Sequence, residues 1–72
     1  MKLKANDYEA KEIIKILREW TELTQKEFGK SIYMSGGAIQ GYERGIRRFP
    51  VDVLLKIAKK HNLTITIESK KK

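Results

Sequence analysis

Arg44, Arg47 and Arg48 fall within five consecutive positions, after a polar run that carries Gln25, Ser35 and Gln40. Guanidinium groups at this density grip phosphate oxygens. Amides and hydroxyls donate and accept toward phosphates or base edges. The chemistry these residues favour is therefore recognition of a polyanion. Covalent and redox chemistry find no support. Without a cysteine, disulfides and thiolate metal sites are excluded, and the lone His61 cannot build a metal centre. Gly36-Gly37 is not a phosphate loop, because no strand precedes it and no Gly-Lys-Ser/Thr follows. No nucleophile–base set and no paired carboxylates occur, so the chain is read as a non-enzyme needing no cofactor and no metal.

The charge distribution agrees. Residues 1–43 carry seven Lys/Arg and seven Asp/Glu, whereas residues 44–72 carry nine Lys/Arg against Asp52 and Glu68. The whole excess of +7 lies at and beyond the arginine cluster. Such asymmetry points to nucleic acid, with a solvated Lys70–Lys72 tail as the plain alternative. No apolar run reaches the ~18 residues of a membrane span, and the first twenty residues lack the pattern of a secretory signal. The expected compartment is the cytoplasm. Seventy-two residues make a single domain, and a chain this short buries only about 60% of its unfolded surface, so a partner would help its stability.

These residues need rigid elements to hold them. Met1–Asn6 alternates apolar and polar, as a short strand or frayed end would. Asn6 with Glu9 resembles a capping box, and Ile13, Ile16, Leu17 and Trp20 follow at helical spacing, predicting a first helix over 7–20. Core packing accounts for this cluster, with Ile14 at its margin. Thr24 and Glu27 form a second capping box for a helix over 25–32. Ser35 caps a third helix that runs to Arg44, and Gly45 is its left-handed stop. Pro50 suits the first position of a fourth helix, whose expected buried face is Val51, Leu54, Leu55 and Ala58. His61 and Asn62 close that helix, His61 as a residue favoured there by the dipole. Leu63–Glu68 alternates apolar and polar with β-branched residues, a strand signature.

The segment 24–45 thus reads as two short helices joined by a tight turn. Gly29 sits where two such helices cross closely. Phe28, Ile32, Met34, Ile39 and Tyr42 supply the apolar contacts beneath the turn. Gly36, Gly37, Gln40, Gly41 and Arg44 are left to face outward.

On Leu17-Arg18, Thr24-Gln25, Gly29, Met34-Ser35, Ile39, Glu43-Arg44-Gly45 and Leu54–Ala58, the chain resembles the lambda-repressor/Cro-like (XRE) helix-turn-helix family. The resemblance implies a mainly α, four-helix DNA-binding fold with a C-terminal strand. It implies a regulator of transcription, a repressor, that binds double-stranded operator DNA as a homodimer on a bacterial or phage nucleoid. It also implies an ion pair between Arg18 and Glu43 across the core. Gln25 would meet a phosphate with its side chain and backbone N–H. Ser35 would reach a phosphate or only cap its helix. Arg44, Arg47 and Arg48 would make phosphate contacts that position without reading sequence.

The chain also departs from that family. Similar domains carry longer polar residues where Gly36, Gly37 and Gly41 stand, so direct base readout should be thin and should lean on Gln40 or on DNA shape. Three glycines also weaken the third helix by up to about 1 kcal/mol each. Tyr33 replaces a usual turn glycine; a positive φ would strain it, and it is a candidate contact to the DNA backbone. Phe49 takes the usual proline site and Pro50 follows it.

The strand 63–68 needs a partner. It can pair with Met1–Ala5, with its twin across a twofold axis, or with another protein. Pairing with the twin is preferred, making Leu63, Ile65 and Ile67 the dimerisation residues. A fourth helix followed by a strand also resembles the HipB-type antitoxins, implying a toxin protein as a further partner. The rival reading is a protein-interaction module that uses the strand or the first helix without DNA.

Overall fold

The computed structural model describes residues 2–69. Met1 and the Lys70–Lys72 tail therefore lie outside the described residues. Four helices and two short strands follow in the order β1 (Lys2–Lys4), a 3-10 turn (Ala5–Asp7), α1 (Ala10–Thr21), α2 (Gln25–Ser31), α3 (Gly36–Arg44), α4 (Val51–His61) and β2 (Thr64–Thr66).

Helix α1 begins later than the Asn6–Glu9 spacing predicts. The box forms three residues on, where the Glu9 N–H donates to Glu12 Oε1 at 2.9 Å. Asn6 is otherwise engaged. Its amide donates to the Glu68 carbonyl at 2.7 Å and accepts from the Glu68 N–H at 2.8 Å. A side-chain amide presents the same donor and acceptor as a peptide, so Asn6 prolongs the strand pairing by one rung.

That pairing is internal, with the 1–5 segment and not with the twin strand that the sequence favours. β1 and β2 run parallel, with Lys2, Leu3 and Lys4 opposite Thr64, Ile65 and Thr66. The pairing sends Leu3 into the core at 3% exposure. A Lys4–Glu68 ion pair at 3.0 Å closes the end of the sheet. β1 thus occupies one edge of β2, and among the described residues the other edge has no strand beside it.

The core is built on Ile14, Leu17, Phe28, Ile32, Ile39 and Ile57, all essentially inaccessible. Ile14 is fully buried, and Ile16 and Trp20 are the α1 apolar residues at the margin. Helix α4 differs from expectation in two ways. Pro50 is the residue before its first turn. Its inward stripe is Val53 and Ile57, while Val51 and Leu55 stand 67% and 56% exposed. The helix carries two apolar stripes, and only one can meet this small core.

His61 closes α4 against the end of α2. Its ring stacks on Phe28 at 5.2 Å between centroids, and Nε2 lies 2.9 Å from Ser31 Oγ. Ser31 donates its proton to the Phe28 carbonyl at 2.6 Å, so the imidazole donates to Ser31. Burial, helped by neighbouring Lys60, holds the imidazole pKa below its ordinary 6.5.

Candidate nucleic-acid interface

Helices α2 and α3 start from sequence-coded caps. Thr24 Oγ1 accepts from the Glu27 N–H at 3.1 Å, and Glu27 Oε1 accepts from the Thr24 N–H at 3.0 Å. Those bonds to Thr24 hold the Glu27 carboxyl below its ordinary pKa. Ser35 Oγ accepts from the Ala38 N–H at 3.1 Å, so capping is the role its hydroxyl performs in this structure.

Between the caps the chain turns tightly over Gly29. The Gly29 carbonyl accepts from the N–H of Ile32 at 3.0 Å and of Met34 at 2.8 Å. A Cβ on Gly29 would lie 2.7 Å from the Met34 carbonyl oxygen and 2.8 Å from that of Ser35. Both are backbone atoms, so only glycine fits. Tyr33 occupies the turn at φ 64° with its side chain 91% exposed. The tyrosine therefore sits in the left-handed conformation that a glycine would adopt without strain.

One carboxylate locks the unit to the rest of the protein. Glu43 on α3 accepts from Arg18 Nε at 2.6 Å and Nη2 at 3.1 Å. Arg18 also donates through Nη1 to the Leu23 carbonyl at 3.0 Å. The pair is mostly buried, at 18% and 6% side-chain exposure. The hydrogen bond to Glu43 raises the Arg18 pKa against the opposing effect of burial. Gln25 joins the network, its Nε2 donating to Glu43 Oε1 at 3.0 Å. The Gln25 amide, expected to reach a phosphate, instead spends a donor inside the protein; only its backbone N–H stays at the start of α2.

The five positions expected to face outward on α3 divide. A Cβ on Gly36 would lie 3.0 Å from Lys26 Cα, so Gly36 marks the close approach of α3 to α2. Gly41 is buried: Arg47 crosses it, with Cδ at 2.7 Å and Cγ at 2.8 Å from a Cβ there. Neither glycine is a reading position. Gly37 is open, its nearest neighbour being Ser35 Oγ at 3.8 Å. Gly37, Gln40 and Arg44 therefore form the exposed face, at the spacing of one helical stripe.

Arg44, Arg47 and Arg48 are all exposed. The Arg47 guanidinium lies 5.6 Å from the centre of the Tyr42 ring, and Tyr42 packs on Phe49 at 5.3 Å. Arg47 is thus partly preorganised by Tyr42, a ring that the sequence suggested only as core. Lys11 was missed altogether. A Cβ on Gly45 would lie 3.1 Å from its Cδ, which puts a lysine from α1 against the end of α3. Nothing in sequence spacing ties these two positions together.

The residues expected to dimerise, Leu63, Ile65 and Ile67, line a cleft with α4. Leu63 and Ile65 are partly buried against the core, and Ile67 is 77% exposed. Among the described residues no cluster of His, Cys, Asp or Glu could hold a metal, and no helix is long and apolar enough to cross a membrane.

A family model described as helix-turn-helix matches residues 14–67, most of the chain. Neither the curated proteins nor the solved structures searched gave a match. The chain belongs to the helix-turn-helix family, of the XRE kind, whose members are DNA-binding regulators of transcription.

Proposed function

We propose that this member of the XRE helix-turn-helix family is a repressor that binds operator DNA as a homodimer in the cytoplasm. The observation that carries the reading is the exposed face of α3. Gly37, Gln40 and Arg44 share one side of the helix, and it runs directly into the basic loop of Arg47 and Arg48. In such a site the loop arginines and the backbone N–H of Gln25 hold phosphates. Gln40 and Arg44 remain to meet base edges, and Tyr33 lies against the backbone. Specificity then rests on few side chains, supplemented by DNA shape.

An apolar cleft of about 430 Å³ between α4 and β2 supports the dimer. Val51, Leu54, Leu55, Leu63, Ile65 and Ile67 line it beside the open edge of β2. A second copy meeting this face would add β2 to β2 and bring two recognition helices into one dimer, as operators with half-sites about 10 base pairs apart require. The HipB-like order of α4 and β2 supports a toxin protein as an additional partner.

Footprinting the DNA upstream of the native gene tests the reading. A protected, twofold-symmetric site is the expected result. Absence of protection, together with no binding to random duplex DNA at about 50 mM salt, would overturn it in favour of a protein-interaction module using the same cleft.

A further inference from the structure

A second cleft, of about 490 Å³, opens between the start of α1 and the α3–α4 loop. The side chains around it include the Tyr42–Phe49 ring pair, Arg47, Arg48 and Lys11, with Glu9 as its acidic member. Lys11 is brought there by Gly45, whose missing side chain leaves room for the lysine stem; a Cβ would meet Cδ at 3.1 Å and Nζ at 4.0 Å. The ion pairs among the described residues are Lys4–Glu68 and Arg18–Glu43, so none of these three cations is in one. Three cations and one carboxylate therefore converge on an open cleft with a net positive charge unmatched inside the protein.

We infer that Lys11 is a DNA-phosphate contact, carrying the basic strip that follows α3 across to α1. The inference rests on the DNA-binding reading above. The occupant is a phosphodiester of the operator backbone, because Arg47 and Arg48 belong both to this cleft and to the loop at the end of the recognition helix. A DNA strand held by that loop reaches Lys11 without leaving protein surface. Glu9 opposes the contact and tempers its strength.

Binding to duplex DNA between about 50 and 200 mM salt tests it, for the wild type and for Lys11→Gln, Arg48→Gln, Lys15→Gln and Glu9→Gln. Losing one phosphate contact flattens the log–log salt slope by about 0.9. Lys11→Gln is expected to flatten it as much as Arg48→Gln, Lys11→Arg to restore it, and Lys15→Gln to leave it unchanged. Glu9→Gln is expected to tighten binding at low salt. A wild-type slope for Lys11→Gln beside a flattened slope for Arg48→Gln would overturn the Lys11 assignment alone. No binding by the wild type would overturn the DNA-binding reading with it. If Lys11 merely packs on Gly45, Lys11→Gln would lower the melting temperature and leave the slope untouched, which also overturns the assignment.

Discussion

Glu43 receives three donated bonds from two residues on other segments, and its carboxylate is almost sealed from water. Removing Arg18 leaves that charge buried with only the Gln25 amide. Arg18→Ala is therefore expected to cost about 3–5 kcal/mol in a urea melt, whereas the exposed Lys15→Ala should stay within about 0.5 kcal/mol. Equal midpoints would refute the role. Tyr33 makes the opposite case. Its φ of 64° is held by the turn, and its ring is almost wholly exposed, so the side chain contributes strain without burial. Tyr33→Gly is expected to leave stability equal or higher, by up to about 1 kcal/mol, while weakening DNA binding if the ring meets the backbone. A clear loss of stability would show that the ring packs in the fold. The strained turn position was legible only through the family resemblance, in which a glycine is usual where Tyr33 stands. The burial of Gly41 was not, because Arg47 reaches it from a loop and loops carry no periodicity.

At the level of elements, capping chemistry was the most readable signal. Thr24, Ser35 and Gly45 each sit where their side chain, or its absence, satisfies a helix end: both helices of the motif begin at the first two, and α3 ends at the third. The Asn6–Glu9 signal failed because Asn6 had a stronger use, in two hydrogen bonds to Glu68, just beyond β2 and far away in sequence. Local pattern cannot register such a competitor. The junction of α4 with α2 gives a pH prediction. Burial against Phe28 keeps His61 neutral and its pKa below 6.5. The folded protein then binds fewer protons than the unfolded chain, so this group's contribution is complete above pH 6.5 and is lost as pH falls below it. His61→Phe keeps the ring stack and removes the titration. Its melting temperature should fall less than that of the wild type between about pH 7.5 and 5.5. Parallel curves for the two proteins would refute the assignment.

The whole molecule presents two surfaces of contrasting chemistry. One is basic and carries α3 and the loop after it; the other is the apolar face of α4 and β2. Periodicity put Val51, Leu54, Leu55 and Ala58 inward, but 53–57 has helical spacing as well as 51–55, and only Leu54 of the expected apolar face packs against the core with Val53 and Ile57. A domain this small fills its core with one stripe, and the other, with Val51 and Leu55, is left exposed beside Ile67. Deleting residues 63–72 would be a poor test of dimerisation through this face, because β2 also seats Leu3 and lends Leu63 and Ile65 to the core. Leu55→Lys with Ile67→Lys is the sharper experiment. Both side chains are mostly exposed in the monomer, so the fold should persist, with a helical circular dichroism spectrum like that of the wild type. Two lysines from each copy would meet across the twofold axis, where like charges repel and apolar contact is lost. Sedimentation is expected to show a dimer for the wild type and a monomer for the double variant. Operator affinity should fall steeply, since two half-sites no longer act as one, while binding to random DNA keeps the salt slope of each basic side. A double variant that still sediments as a dimer would move the interface elsewhere on the molecule, and a wild type that is monomeric on its operator would remove it.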